Sequence, residues 1–219
     1  WERAVDRILH RDPTGQNVRL TLDTDLQALA QERMRGLEGA AVLIDARTGD
    51  ILALASSPTY NPGAVAEDWE SLRSAEDAPL LNRATQGLTQ PGLILAPVIL
   101  AEAWDQGYGE TPPGPIDATI AVNGDEVRCV SQPATTSWRS ALASQCPAPF
   151  AKVGEELGQA RITEAFEAWG LLDPPQFALP TVAGEYEPTS GDGAAESIGQ
   201  GNLLITPLQA VRIAAILAN

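Results

Sequence analysis

The sequence predicts a mixed α/β (α+β) domain, in which helices flank a small antiparallel sheet, and three observations support this. Helical patterns outnumber strand patterns along the 219 residues. Two apolar runs of strand length, within residues 40–57, are separated by a polar turn. A hydrophobic content of 44% with 20% charged residues is enough to form one sizeable core, and it argues against a disordered chain.

The N-terminal third predicts a strand, a helix and a hairpin. Residues 1–17 are polar and are interpreted as the tail of a preceding segment, with the domain at residues 18–219. Val18–Leu22 alternates and predicts a short strand. A helix is expected from Thr24 to about Leu37, opened by a capping box of Thr24 and Gln27. The apolar runs around residues 45–49 predict a β-hairpin covered on both faces.

The rest of the chain alternates between loops and helices. Segments rich in Gly and Pro predict loops at Pro58–Leu81, 107–136 and Leu172–Glu196, the first with a short acidic helix around Trp69 and the second with a small hairpin at Asn123-Gly124. Helices are predicted at Leu93–Asp105, Trp138–Ala143, Phe150–Leu157, Ile162–Trp169 and from Thr206 onward.

The charge pattern excludes some classes of function. A formal net charge of −15 without a basic stripe makes nucleic acid a poor partner. Thirteen of the 14 cationic residues are arginines, and Lys152 is the single lysine. The most apolar stretch, Leu93–Ala103, is too short to span a bilayer and contains Pro97 and Glu102. No cofactor is expected.

The two cysteines allow two interpretations. Cys129 and Cys146, with the single histidine His10, cannot form a Cys/His zinc site. A disulfide between them would close a loop of about 17 residues and contribute on the order of 3 kcal/mol. Two free thiols are equally compatible with this spacing.

Three further groups of side chains are better explained by structure than by function. Asp45 and Asp50 are expected to be exposed turn residues. The tryptophans share no helical or strand register, so they are expected to pack in the core or in a subdomain rather than to bind sugar: Trp69, Trp104, Trp138 and Trp169. The acidic side chains near the C-terminus do not match a calcium loop and are expected to form a solvated loop: Glu185, Glu187, Asp192 and Glu196.

Four stretches of the chain resemble the transpeptidase domain of class B penicillin-binding proteins. In chain order they are GAAVLIDARTGDILALASSPTYNP, LLNRATQG, QPG before a helix, and SIGQGNLLITPLQAVRIAAILAN. The resemblance covers residues 18–219 and implies the serine penicillin-recognising fold, with helices on both faces of an antiparallel sheet and a helical subdomain beside it. In that family further strands of the sheet come after the position of Asn219.

The family's first catalytic motif is Ser-x-x-Lys, which places a nucleophilic hydroxyl one helical turn from a lysine. The matching run is Gln90–Pro97, with Leu93 at the serine position and Ala96 at the lysine position. Neither side chain can attack or transfer a proton. Because Pro91 and Gly92 match the family, we expect the helix start to be present without its chemistry.

The second motif of the family, Ser-x-Asn, is also altered. Gln145 is at the serine position and Pro147 at the asparagine position. Moving the register by one residue makes Ser144 the serine but places Cys146 at the asparagine position. The third motif, Lys-Thr-Gly, lies beyond Asn219 in the family, so the chain does not test it.

The lysine count excludes a relocated first motif. Pro149 is three residues before Lys152, so no Ser-x-x-Lys exists in the chain. Lys152-Val153-Gly154 resembles the third motif only superficially and is expected to be ordinary surface helix. A Ser–His–Asp site would need His10, and no Gly-x-Ser-x-Gly turn is present.

The resemblance therefore implies an inactive, penicillin-binding-protein-like domain that acts as a scaffold or regulator in peptidoglycan synthesis or cell division. Two alternatives stay open: an active D,D-transpeptidase with an atypical nucleophile such as Ser144, and a noncovalent muropeptide sensor. The expected partners are cell-wall synthesis or division proteins and the peptidoglycan stem peptide. The expected location is outside the cytoplasmic membrane, with an anchor outside this chain, which favours the Cys129–Cys146 disulfide. Apolar residues at the motif positions predict a narrowed, hydrophobic groove.

Overall fold

The computed structural model describes residues 17–188, 191 and 193–219. His10 and nearly all of the predicted N-terminal tail lie outside these residues. The helices are α1 Thr24–Arg33, α2 Val65–Ser74, α3 Arg83–Gln86, α4 Ala96–Asp105, α5 Trp138–Ala143, α6 Ala148–Ala168, α7 Ala194–Ser197 and α8 Pro207–Ala218. The strands are β1 Gly39–Ile44, β2 Ile51–Ser57, β3 Thr119–Val122 and β4 Asp125–Arg128.

The first hairpin is confirmed. Strands β1 and β2 pair antiparallel, from Gly39 opposite Ser57 to Leu43 opposite Ala53, with a shift of register before Ile44. Burial alternates along β2, because every second residue faces α1 and the core while the residues between are half-buried. The prediction that both faces of the hairpin are covered is therefore confirmed for one face of β2 and only in part for the other.

Residues 17–23 cover the outer edge of β2 without forming the predicted strand at Val18–Leu22. The Thr21 hydroxyl donates to the Ile51 carbonyl at 2.6 Å, and the Asp23 N–H donates to the Leu52 carbonyl at 2.9 Å. Asp23, rather than Thr24, caps α1 by accepting from the N–H groups of residues 25 and 26, and α1 ends at Arg33 rather than near Leu37.

The predicted capping role of Gln27 is wrong because its amide is used elsewhere. Gln27 Nε2 donates to the Leu54 carbonyl at 2.9 Å, and Gln27 Oε1 accepts from the Leu54 N–H at 2.8 Å. The side chain thus imitates a neighbouring strand and satisfies the edge of β2.

The larger core lies among α4, α5, α6, α7 and α8. Helix α4 follows a 3-10 turn over Gly92–Leu95, so the helix predicted from Leu93 is confirmed apart from its first turn. Helix α6 combines the two helices predicted at residues 150–157 and 162–169, with a break at Gly158, where φ is 74°. The Asn123-Gly124 hairpin is confirmed as the turn between β3 and β4.

Other predicted elements are also present. Helix α5 has its predicted bounds, and the acidic helix around Trp69 is α2. Helix α8 begins with the predicted capping box of Thr206 and Gln209. Short helix α7 replaces the end of the loop predicted at Leu172–Glu196. Among the described residues, no helix combines the length and apolar character needed to cross a bilayer.

Candidate functional site

The start of α4 is held by a contact between two glycines. The Gly92 N–H donates to the Gly199 carbonyl at 3.1 Å. Gly92 and Gly199 have φ values of +59° and +67°, and a Cβ on Gly199 would overlap with the Gly92 backbone. Both positions need a residue that adopts left-handed φ without strain, and Gly199 also needs one without a side chain. The sequence segments QPG and SIGQG are therefore joined in space.

A second close approach supports α7 behind this contact. A Cβ on Gly154 of α6 would overlap with the Ser197 hydroxyl and lie 2.6 Å from the Gly193 carbonyl. The absence of a side chain at Gly154 lets α6 and α7 pack against each other without a gap. Lys152-Val153-Gly154 is therefore part of a helix, as predicted, but the prediction of a surface helix is wrong, because Val153 and Gly154 are buried and the glycine has a packing role.

The residues after Gly92 line a cavity of about 360 Å³, which we call the motif cavity. Six of its seven lining residues are apolar, and the seventh is Gln145. The lining residues are Leu93, Ile94, Ala96, Ala141, Leu142, Gln145 and Phe150. The predicted hydrophobic lining is confirmed, although the side chains leave the cavity open rather than filled; the predicted narrowing remains a prediction.

Three of the four motif positions meet at this cavity. Leu93 and Ala96 come from the start of α4, and Gln145 comes from the end of α5. Pro147 is not among the lining residues and instead precedes the first turn of α6, where it is buried. The fold therefore brings together the positions that the resemblance pairs across about 50 residues of sequence.

The motif cavity offers no group for acyl transfer among its lining residues. Aliphatic and aromatic carbon side chains cannot attack a carbonyl or move a proton, and a glutamine amide does not act as a base. Ser144, the alternative nucleophile, is buried, and its hydroxyl makes no hydrogen bond to another described residue that would activate it. Lys152 pairs with Asp117 at 2.5 Å.

The end of α5 has a backbone arrangement that explains the position of Gln145. The Gln145 N–H donates to the Leu142 carbonyl at 3.0 Å, and the Cys146 N–H donates to the Ala141 carbonyl at 2.9 Å. This is the Schellman pattern, which requires left-handed φ at the residue after the cap, and Gln145 has a φ of 48°. A residue with a Cβ is strained there.

The predicted disulfide is confirmed and fixes this end of α5. Cys129 and Cys146 are bonded, with their Cα atoms 4.1 Å apart. The N–H groups of Val130 and Ser131 both donate to the Ser144 carbonyl, at 3.0 and 3.3 Å. The segment after β4 is thereby attached covalently and by hydrogen bonds to the residues beside the motif cavity.

A second hollow of about 630 Å³ adjoins the motif cavity at Leu142 and includes two tryptophans, Trp104 and Trp138. We call it the tryptophan hollow. Trp138 is buried, its Nε1–H donates to the Gly109 carbonyl at 3.0 Å, and its ring lies 5.6 Å from that of Phe150. The prediction that the tryptophans pack in the core or in a subdomain is wrong for Trp104 and Trp69, which are 56% and 47% exposed. Sequence reasoning missed this pair because tertiary packing, not register, brings it together.

The prediction of a solvated acidic loop is wrong for Glu196, whereas Glu185 and Glu187 are exposed, as predicted. Glu196 lies in α7 and is 2% exposed. The Glu185 backbone exchanges two hydrogen bonds with Leu204, at 3.0 and 2.9 Å. Asp192 lies outside the described residues. Within the described part of the chain, no three His, Cys, Asp or Glu side chains are grouped so that they could hold a metal ion.

Asp45 and Asp50 are turn residues, as predicted. Asp45 accepts from the Arg47 N–H at 2.9 Å and from its guanidinium, and Thr48 donates to Asp50 at 2.9 Å. The hydrogen bond from the Arg47 side chain lowers the pKa of Asp45 below its usual value. Both carboxylates are used within the turn, on a hairpin that contributes no residue to the motif cavity.

Two tyrosines in the helical part have altered proton affinity. Burial, and then its hydrogen bond to Glu156, raises the pKa of Tyr108 to about 12. Burial also raises the pKa of Tyr186, which accepts from Gln159 and packs edge-on against Phe166 at 5.1 Å. Neither tyrosine lines the motif cavity, so neither is placed to act as a base there.

Residues 39–219 match the family model described as the penicillin binding protein transpeptidase domain. Over an alignment of 244 positions, the chain is 33% identical to the peptidoglycan D,D-transpeptidase PbpA of Mycolicibacterium smegmatis, covering 99% of this chain and 49% of that protein. The chain thus spans about half the length of this relative.

Solved structures agree with this match. Penicillin-binding protein A from M. tuberculosis, in its penicillin G acyl-enzyme complex, superimposes with a TM-score of 0.81 at 30% identity, covering 100% of this chain and 55% of that one. PBP2 from Helicobacter pylori, solved with MreC, has a TM-score of 0.74 at 23% identity, covering 90% of this chain and 41% of that one. The fold is thus the penicillin-binding protein/β-lactamase-like fold expected from the resemblance, and the chain belongs to the penicillin-binding protein transpeptidase domain family.

Proposed function

We propose that this chain is a transpeptidase-type domain without acyl-transfer activity, acting as a scaffold or regulator in peptidoglycan synthesis. The observation that carries the proposal is the lining of the motif cavity. Leu93, Ala96 and Gln145 meet at one cavity, and none of them can act as nucleophile or base.

A comparison with the M. tuberculosis relative supports the proposal. That protein forms an acyl-enzyme complex with penicillin G, which requires a nucleophile that attacks the lactam carbonyl. At the position that the motif assigns to the nucleophile, this chain has the hydrocarbon side chain of Leu93. The QPG and SIGQG segments nevertheless meet through Gly92 and Gly199, so the fold does not need the chemistry.

Both alternatives from the sequence have less support. An atypical nucleophile at Ser144 would need a base, and its hydroxyl has no such partner among the described residues. A stem peptide ends in a carboxylate, and no cation lines the described part of the motif cavity. Loss of acyl transfer with retention of the fold accounts for both observations.

The proposed partners are proteins of cell-wall synthesis, and the proposed location is the cell envelope. The H. pylori relative was solved as a complex with MreC, so a protein that contains this fold binds a second protein. The Cys129–Cys146 disulfide is typical of an oxidising compartment outside the cytoplasm. A role in cell division, and an anchor elsewhere in the protein, are further parts of the proposal.

Covalent labelling with a fluorescent penicillin tests the loss of chemistry. We expect no adduct by gel fluorescence or intact mass, while M. tuberculosis penicillin-binding protein A labels under the same conditions as a positive control. A stoichiometric adduct would overturn the proposal. If Ser144→Ala abolished that adduct, the atypical nucleophile would be identified.

A genetic experiment tests the scaffold role. Deletion of the gene in its own bacterium is expected to change cell shape or wall synthesis, and complementation by the Ser144→Ala variant should restore both as well as the natural gene does. If the natural gene restored cell shape and wall synthesis but the Ser144→Ala variant, present at normal protein levels, did not, a role independent of catalysis would be contradicted.

A further inference from the structure

The motif cavity has the size and surface of a ligand site. Its volume of about 360 Å³ lies at the lower end of the range of small-molecule sites, roughly 300–1,000 Å³. An engineered apolar cavity of roughly 150 Å³ is already large enough to bind benzene. The floor consists of Ala96, Ala141 and Phe150, each of which is at most 1% exposed.

The mouth of the cavity is apolar as well. Ile94 and Leu142 are both 38% exposed, and Trp104, across Leu142 in the tryptophan hollow, is 56% exposed. Large apolar side chains scattered singly on a surface are ordinary, but Ile94 and Leu142 line one cavity and Trp104 lines the hollow that adjoins it. Contact with a ligand would remove this surface from water.

Polar groups at the cavity restrict the class of ligand. Gln145 is the one polar residue of the lining, and its side-chain amide makes no hydrogen bond to another described residue. The amide offers one acceptor oxygen and two N–H donors. No charged side chain lines the described part of the cavity, so a charged ligand would lose its hydration without compensation.

We propose that the motif cavity binds an uncharged, mainly apolar small molecule, with a ring or branched alkyl body between Leu93 and Phe150 and one hydrogen-bonding group at the Gln145 amide. The inference concerns the site of the proposed loss of chemistry, but it does not need the scaffold role. The same substitutions that remove acyl transfer, Leu93 and Ala96, supply the apolar walls.

Indole is a suitable probe because it is uncharged, has an apolar ring body and carries one N–H donor. Methyl-detected NMR of the chain, titrated with indole, is expected to give saturable shifts for Leu93, Ile94 and Leu142 with a Kd in the millimolar range or below. Benzoate, of similar size but anionic, is expected to bind at least tenfold more weakly.

Leu142→Glu at the exposed mouth should weaken indole binding at least tenfold without disturbing the buried floor. Leu29→Glu is the matched control, since Leu29 is exposed on α1 and lines no part of the cavity, and it should leave the Kd unchanged. Shifts that do not saturate, shifts unaffected by Leu142→Glu in a folded protein, or equal affinity for benzoate would each overturn the inference. If the chain bound no indole and was not labelled by penicillin, this inference would be overturned, whereas the proposed loss of acyl transfer would stand.

Discussion

Gly92 and Leu93 are neighbours in the chain, yet they belong to two regions with different physical demands. Gly92 contacts Gly199 through the backbone, where a Cβ on Gly199 would overlap with it. The Leu93 side chain lines the motif cavity, whose volume of about 360 Å³ is not filled by protein atoms. We call the close-contact residues the frame, which comprises Gly92, Gly154, Gly193, Gly199 and Gln209.

The difference shows which parts of the site the fold requires. Gly92, Gly199 and Gln209 lie in segments that match the family. At Gly154, Gly193 and Gly199, neighbouring atoms leave no room for a Cβ. Gln209 belongs to the frame through its buried hydrogen bonds. Leu93 is half-buried and Gln145 is exposed, so the chemistry of these two motif positions can change with little effect on packing. The comparison predicts large losses of stability in the frame and small changes at Leu93 and Gln145.

The largest effect is expected for Gly199→Ala. The new Cβ would overlap with the Gly92 backbone, and φ is +67°, so strain and a shifted backbone should together lower the free energy of unfolding by about 3–5 kcal/mol. Gly49→Ala is the matched control, because Gly49 has a φ of +78° but nothing within 4 Å of the added Cβ. Its cost should be about 1 kcal/mol by urea denaturation. Equal costs for the two variants would contradict the close-contact explanation.

A second large effect is expected for Gln209→Ala at the start of α8. The buried Gln209 amide donates to the Leu171 carbonyl at 2.6 Å and to the Asp173 carbonyl at 3.2 Å, while Oε1 accepts from Thr206. Removing it leaves buried groups unpaired, so we expect a loss of about 2–3 kcal/mol in thermal or urea unfolding.

Gln106→Ala, at the exposed end of α4, serves as the control and should change stability by less than about 0.5 kcal/mol. If Gln209→Ala were as mild as this control, Gln209 would not belong in the frame.

Several local elements of the fold, and the positions of the altered motifs, could be predicted from the sequence. The capping box at Thr206, the Asn123-Gly124 turn and the hairpin around residues 45–50 depend on local chemistry, and all three are confirmed. The altered motif positions could be aligned because Pro91 and Gly92 are present beside them. Sequence rules for caps and turns succeed at these sites because the stabilising interactions join residues that are close together in the chain.

The errors have a common cause in tertiary contacts. Gln27 has the spacing of a capping residue, but the unpaired edge of β2 competes for its amide. Glu196 is an acidic residue in a predicted loop, yet it is buried in α7, which packs against α6 at Gly154. Trp104 and Trp138 share a hollow that no sequence register shows. Each outcome depends on a distant segment of the chain.

A small effect on stability is expected for Leu93→Ser, which restores the nucleophile type at the motif position. Leu93 is only half-buried, so the loss should be about 1 kcal/mol in urea denaturation. Penicillin labelling should remain absent, because Ala96 and Gln145 provide no base for the new hydroxyl. Leu93→Ala separates the loss of burial from the effect of the hydroxyl. Labelling of Leu93→Ser, but not of Leu93→Ala, would show that catalysis needs only the serine.

The smallest effect is expected for Gln145→Gly, and its sign is opposite. Gln145 adopts left-handed φ at 48°, which costs a residue with a Cβ roughly 1–2 kcal/mol, whereas the greater freedom of glycine in the unfolded chain costs roughly 0.5–1 kcal/mol. The difference predicts a gain of about 0.5 kcal/mol, measured as a rise in urea midpoint at constant slope. Gln145→Ala keeps the strain and should give no gain. A clear loss of unfolding free energy in both variants would mean that the Gln145 side chain supports the cavity wall. The motif positions would then contribute to stability as the frame residues do.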